Sequence, residues 1–274
     1  MTPIPFIKMH GLGNDYVYVD CFTPSSSQFF ATADIAALAR RMSNRHYGIG
    51  SDGLVLILPS EVADLRMRMF NADGTEAQMC GNAARCVAKY AYESGLCNNT
   101  SMTLETLSGI KTMRLSTKDG KVCTVSVDMG KPHIVRHTID INGTSVDITS
   151  VNMGNPHAVV FVSTPLEDIP LTSWGPLMEH HPLFAEGTNV EFVRVVDTAT
   201  LSMRVWERGT GETMACGTGA CAAAAAAVMQ GLTDRNVAVH LKGGTLHINI
   251  DENGSVSMTG TANMVYKGEY IVEE

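Results

Sequence analysis

Strands outnumber helices heavily in this 274-residue chain, and one strand–turn–helix pattern occurs in it twice. Together these features predict an α+β protein made of two duplicated lobes. The repeat reads "AQMCGNAARCVAKYAYESG" at 77–95 and "TMACGTGACAAAAAAVMQG" at 213–231. In each, a Cys-Gly pair is followed by a small polar residue and an alanine-rich run that stops at a glycine fifteen residues after the cysteine. The parallel extends upstream: Asn71 and Glu207 each lie nine residues before their cysteine, ending the strands "RMFN" and "RVWE". "GLGND" around Asn14 is echoed by "MGNPH" around Asn155, at separations of 66 and 61 residues from Cys80 and Cys216. Two copies exclude a solenoid and favour a pair of lobes facing each other.

Taken in order, residues 33–43 ("ADIAALARRMS") have helical periodicity with Ile35, Leu38 and Ala39 on one side, and Thr32 is the expected N-cap. The glycine-rich "YGIGSDG" leads into the short strand "LVLILP". Further strands are expected at 64–70, 121–129, 158–162, 190–196, 201–206, 237–241 and 245–250, where β-branched and apolar residues run between turn signals. The two alanine-rich segments are the best-defined helices, starting at Gly81-Asn82 and Gly217-Thr218 and stopped by Gly95 and Gly231.

Apolar residues make up 45% of the chain, enough for a full core. Lys and Arg total 20 against 28 acidic residues, a net charge of -8 that leaves no cationic surplus for a nucleic-acid partner. No segment approaches the ~20 apolar residues of a membrane span, and no signal-peptide pattern opens the sequence, so a cytoplasmic protein without a membrane partner is expected. Seven cysteines, an odd number without C-x-x-C spacing, argue against a disulfide framework or zinc knuckle. No metal site is expected.

A cysteine at a helix start meets backbone N–H groups without intrahelical partners and roughly +0.5 of dipole charge, conditions that favour thiolate and bind anions. One such turn is more often a packing feature than a catalyst; two at matched positions point to proton transfer beside a bound carboxylate. Two weak acids flanking a carboxylate suit inversion at the α-carbon, one thiolate removing the proton and the opposite thiol returning one to the other face. Neither turn has a lysine placed for a Schiff base, so a cofactor-independent reaction is expected.

These residues carry a resemblance. "KMHGLGNDYV" (8–17), "NADGTEAQMCGNAAR" (71–85), "MGNPHAV" (153–159), "ERGTGETMACGTGA" (207–220) and "VYKGEY" near the end closely resemble the diaminopimelate epimerases. The resemblance implies an isomerase that interconverts LL- and meso-2,6-diaminopimelate in bacterial lysine and peptidoglycan synthesis, with no cofactor and with Cys80 and Cys216 as the catalytic pair. It implies a carboxylate held at Gly81, Asn82, Gly217 and Thr218, with further substrate contacts from Asn14, Asn71, Asn155, Asn189, Glu207 and Arg208. His157 and Glu207 would support proton transfer, and Tyr266 would mark a homodimer contact. Three positions depart from the family: Thr75 for serine, Ala83 for glycine, and Gly53 where glutamine is common, which removes Gly53 from the expected site.

The fold implied is two duplicated lobes, each a mixed curved β-sheet wrapped around a central α-helix, related by a pseudo-two-fold axis with the active site in the cleft between them. The expected domains are 1–127 with a returning segment 262–274, and 128–261. Plainer readings stand beside the sharp ones. His157 in isolation reads as a satisfied structural histidine, Asn14, Asn71 and Asn189 as turn residues, and Glu207-Arg208 as a surface pair. Cys86 and Cys221 read as core, and His180-His181 as a solvated loop. Rival functions are a proline or hydroxyproline racemase, whose first motif has histidine where Asn82 stands, a thiol redox switch, and a non-catalytic amino-acid binder.

Overall fold

The computed structural model describes residues 3–272. The chain divides into two compact units, one running to Val127 and resuming at Gly260, the other spanning Asp128–Thr259.

The first unit contains β1 (Pro3–Gly11), β2 (Asn14–Asp20), α1 (Pro24–Thr32), α2 (Ile35–Ser43), β3 (Gly53–Leu58), β4 (Leu65–Asn71), β5 (Glu76–Ala77), α3 (Gly81–Ser94), β6 (Ser101–Thr106), β7 (Gly109–Lys118) and most of β8 (Lys121–Gly130). The second contains β9 (His133–Ile141), β10 (Thr144–Asn152), β11 (Pro156–Phe161), α4 (Leu171–Glu179), β12 (Asn189–Asp197), β13 (Thr200–Glu207), β14 (Gly211–Glu212), α5 (Gly217–Met229), β15 (Asn236–Leu241), β16 (Gly244–Ile250) and most of β17 (Val256–Gly260); β18 (Asn263–Ile271) returns to the first unit.

Strand pairing repeats. The first sheet runs β18-β1-β2-β3-β4-β6-β7-β8, with β2–β3 and β4–β6 parallel and the other neighbours antiparallel. The second runs β9-β10-β11-β12-β13-β15-β16-β17, with β11–β12 and β13–β15 parallel and the rest antiparallel. Every strand therefore has a counterpart, which is the α+β duplication expected from the two cysteine turns.

Period-two alternation decides what each sheet face meets. In the first unit Val17, Val19, Leu54, Leu56 and Phe70 join Leu38 and Met42 of α2 in one core cluster. In the second, Ala158, Val160, Val190 and Phe192 join Leu171 and Met178 of α4. The residues between them, Tyr16, Tyr18 and Val55, or His157, Val159 and Glu191, point to the other face, where α3 and α5 lie. α5 packs on β10–β13, β15 and β16, and its run Gly219–Ala227 is wholly buried. A helix enclosed this completely has no solvent stripe, and alanine lets the surrounding strands approach it closely.

Two details of the helix near residue 33 differ from expectation. Thr32 ends α1, a helix the sequence reading did not anticipate, and Asp34 is the N-cap of α2, its carboxylate accepting from Ala37 N at 2.9 Å. A carboxylate at that position satisfies a bare N–H and also meets the positive end of the dipole. Gly95 closes α3 as its C-cap with φ 80, as expected, whereas the C-cap of α5 is Gln230, with Gly231 following at φ 70. Cys86 and Cys221 are core residues, and His180 is exposed just after α4. Among the described residues no helix is long and apolar enough to cross a membrane.

Candidate active site

Each unit brings some of its predicted site residues together where the central helix begins. Cys80 is the N-cap of α3 and Cys216 the N-cap of α5, both extended, with φ/ψ of -135/121 and -109/110. Gly81, Asn82 and Gly217 are buried behind them.

In the first unit, Asn14 opens β2 and its Oδ1 accepts from the Cys80 thiol at 3.4 Å and from Asn82 Nδ2 at 3.2 Å. Its Nδ2 donates to Asp52 Oδ2 at 2.8 Å. Asp52 also accepts from Asp15 N and Arg45, inside a charge cluster with Lys8 and Asp15. Burial, reinforced by the Asp15 charge, pushes Asp52 above the usual carboxylate range. Burial also acts on Asp15, but hydrogen bonds and charge from Arg45 and Lys8 outweigh it and hold Asp15 low. Beneath Asn82 lies Arg85, fully buried, donating to Asn82 Oδ1 at 2.8 Å, Thr261 O at 3.2 Å and Gly81 O at 3.4 Å. Gly11 makes room for this: a Cβ there would sit 2.9 Å from Arg85 Nη2 and 3.0 Å from Asn82 Cβ. Asn71 ends β4 with its Nδ2 bonded to Thr75 Oγ1 at 3.0 Å, a turn contact. Gly53 admits no side chain, since a Cβ would meet Phe70 O at 2.0 Å.

The second unit replaces this amide network with ionisable groups. Cys216 Sγ accepts from Gly219 N at 3.4 Å and lies 3.6 Å from Thr218 Oγ1, which accepts from Asn155 Nδ2 at 3.3 Å. His157 touches Asn155 Oδ1 through Nε2 at 3.1 Å and Glu191 Oε1 through Nδ1 at 2.6 Å, with both His157 and Glu191 fully buried. Donor atoms of His157, Glu191 and Cys216 lie within 4.8 Å of one another. Glu207, ending β13, accepts from Thr213 and from the Cys216 thiol. Burial pushes Cys216 well above the usual thiol range, and the charges of Glu207 and Glu191 add to this, while Thr218 and Gly219 oppose it. Burial likewise raises Glu207, against the hydrogen bonds from Thr213 and Cys216.

Other expected residues have different neighbours. Asn189 ties three segments, donating to Pro156 O at 2.9 Å and accepting from Arg208 N at 3.0 Å. Arg208 is exposed, and its guanidinium donates to Glu186 O at 3.0 Å rather than to Glu207, so the surface-pair reading of these two residues does not hold. Tyr266 is exposed on β18, edge-on to Phe6 at 5.8 Å.

Sequence reasoning missed Asp52, Arg85 and Glu191. The last two left a signal: Arg85 is a charge within the alanine-rich first turns of a helix, and Glu191 the charge inside the apolar strand "VEFV". Neither type is buried without a partner.

The model of the family described as diaminopimelate epimerase matches residues 6–135 and 149–265. A diaminopimelate epimerase of Desulfovibrio desulfuricans is 50% identical, covering 97% of this chain and 98% of its own. One of Acetivibrio thermocellus is 50% identical over 98% and 99%. Among solved structures, a probable proline racemase from Agrobacterium radiobacter superposes with TM-score 0.76 at 16% identity, covering 98% of this chain and 93% of its own. A hydroxyproline epimerase from Agrobacterium vitis gives 0.73 at 16%, over 98% and 91%. These two share the fold. With half of all positions identical across nearly its full length, and the family's own pattern matched from residue 6 to 265, this chain belongs to the diaminopimelate epimerase family.

Proposed function

We propose that the protein is a cytoplasmic, cofactor-independent epimerase of LL- and meso-2,6-diaminopimelate in lysine biosynthesis, with Cys80 and Cys216 as the two proton-transfer groups. The observation that carries this reading is the duplicated helix start: each central helix is capped by a cysteine whose sulfur is hydrogen-bonded. One thiolate takes the α-proton and the other thiol delivers a proton to the opposite face, so configuration inverts. The substrate carboxylate takes the N–H groups at Gly81-Asn82 and Gly217-Thr218, and these stabilise the charge that develops on it as the carbanion forms. Asn14, Asn71, Asn155, Asn189 and Arg208 contribute substrate contacts, while His157 and Glu207 tune Cys216. Asn82 in place of histidine argues against the proline racemases.

In D₂O the enzyme is expected to place solvent deuterium at one α-carbon of LL-diaminopimelate and to leave L-proline untouched. Cys80→Ala and Cys216→Ala should each lower turnover by more than ~10³-fold. Full inversion by either variant overturns the two-base reading. The exposed Met264, Val265 and Tyr266 on β18 fit a homodimer contact; sedimentation as a monomer at working concentration would remove it.

A further inference from the structure

Every hydrogen bond around Asn14 has a direction fixed by its partners. Arg85 has only donors, so Asn82 Oδ1 accepts from it and Asn82 must offer its Nδ2 to Asn14 Oδ1. At the other end, Asp52 Oδ2 accepts from Asn14 Nδ2 and from Asp15 N, while Oδ1 accepts from Arg45. A rotated Asn14 amide would set N–H against N–H at Asn82 and carbonyl against carboxylate at Asp52. The amide is thus held in one orientation from both sides.

We propose that Asp52, together with Arg85 acting through Asn82, is a positioning device that locks the Asn14 carbonyl oxygen against the Cys80 sulfur. An acceptor at 3.4 Å takes a hydrogen bond from the thiol and offers none to a thiolate. The device therefore favours the thiol form of Cys80 against the pull of the helix start toward thiolate, holding it as the group that delivers a proton. Ionisable groups that feel the Cys80 sulfur include the Tyr18 hydroxyl of β2 and the Cys86 thiol of α3, both fully buried. Neither is altered by the substitutions below. The inference rests on the proposed role of Cys80, but its test reads the sulfur directly.

The experiment is iodoacetamide labelling of the substrate-free protein as a function of pH, read residue by residue by peptide mass spectrometry. Buried Cys86 reports loss of fold, and only protein in which it stays unlabelled is scored. Asp52→Asn frees one side of the lock; Asp52→Asn with Asn82→Ala frees both sides at the same net charge as the single variant, so the Asn14 amide can turn an N–H toward the sulfur. The single variant should label Cys80 about 3-fold faster at neutral pH, and the double about 10-fold faster, with the labelling curve moved to lower pH in that order. Unchanged Cys80 labelling in the double variant, or a single variant that exceeds it, overturns the lock. Should both variants expose Cys86, the same measurement on Asp52→Ser, which removes both carboxylate oxygens at a side chain 38% exposed, decides it: labelling equal to the parent overturns the proposal. If the lock holds while Cys80→Ala still inverts substrate, the lock stands and the catalytic reading fails.

Discussion

The two helix starts share a backbone and differ in chemistry. Position by position, Asn14 matches Asn155, Tyr16 matches His157, Val55 matches Glu191, Ala83 matches Gly219 and Arg85 matches Cys221, as the equivalent strand registers and helix offsets require. The first unit holds its sulfur with amides whose orientation is set by charges one step away. The second puts an imidazole and two carboxylates next to the sulfur. Duplication supplied one scaffold, and divergence of residues facing the helix made two unlike thiols from it. Gly219 and Ala83 show how tightly such changes are coupled. A Cβ at Gly219 would lie 2.6 Å from Glu191 Oε1, whereas at Ala83 the methyl group is buried in the unit whose strand carries Val55 instead. The carboxylate and the glycine belong together, as do the valine and the alanine.

The largest effect on stability is expected where the two helices differ most. Arg85→Met removes the donor to the buried acceptors Asn82 Oδ1 and Gly81 O, each costing about 1–3 kcal/mol when bare, and to the part-buried Thr261 O. Relief of the buried charge offsets part of this, leaving a loss of roughly 3 kcal/mol and a fall in Tm of about 10 °C. Cys221→Ala, at the matching position of α5, should cost about 1 kcal/mol. Equal melting shifts for the two variants would show that the guanidinium is not what holds the start of α3.

A smaller effect separates the two helix starts by rate. Gly219→Ala gains about 1 kcal/mol of helix propensity but forces Glu191 Oε1 and Cys216 Sγ, at 2.6 and 3.2 Å from the new Cβ, to move. Stability should change little, while kcat falls about 10-fold because a displaced sulfur misses its attack geometry. Ala83→Gly should do the opposite, losing about 1 kcal/mol of stability with kcat within roughly 2-fold of the parent. Thermal melts and steady-state rates on both variants check this, and a kcat for Gly219→Ala equal to the parent's would detach Glu191 from the chemistry.

Much of this was legible in the sequence, for stated reasons. The cysteine turns could be read because a Cys-Gly pair before an alanine run has no common structural explanation when it occurs twice. The strands 53–58, 65–71 and 189–197 showed because buried strands are β-branched and apolar. β9 and β10 stayed hidden because their polar face dilutes the pattern, and α1 because its first residues, Pro24 to Ser26, read as a turn. Within the site, the asparagines and His157 were named, but not the residues behind them. Asp52 sits in a glycine-rich turn, and Glu191 lies 34 residues from His157 in sequence. A contact across parallel strands leaves no spacing rule in one sequence.

The subtlest difference concerns Glu207, which faces Cys216 where Asn71 occupies the equivalent place in the first unit. Its negative charge helps keep the Cys216 thiol protonated, so Glu207→Gln should let thiolate form at lower pH and raise iodoacetamide labelling of Cys216 at neutral pH about 3-fold. The same substitution changes stability with a definite sign. Glu207 is raised above 4.5 in the folded protein, so the folded state holds a proton more firmly than the unfolded chain. Its stabilising contribution is therefore complete below the unfolded value and is lost as pH rises through the folded one. Gln at this position cannot titrate. The parent should consequently lose more Tm than the variant on going from acidic to neutral pH, by on the order of a few degrees. Parallel Tm curves for the two proteins would mean that the folded and unfolded states hold the Glu207 proton equally, and that Asn71 and Glu207 differ in shape alone.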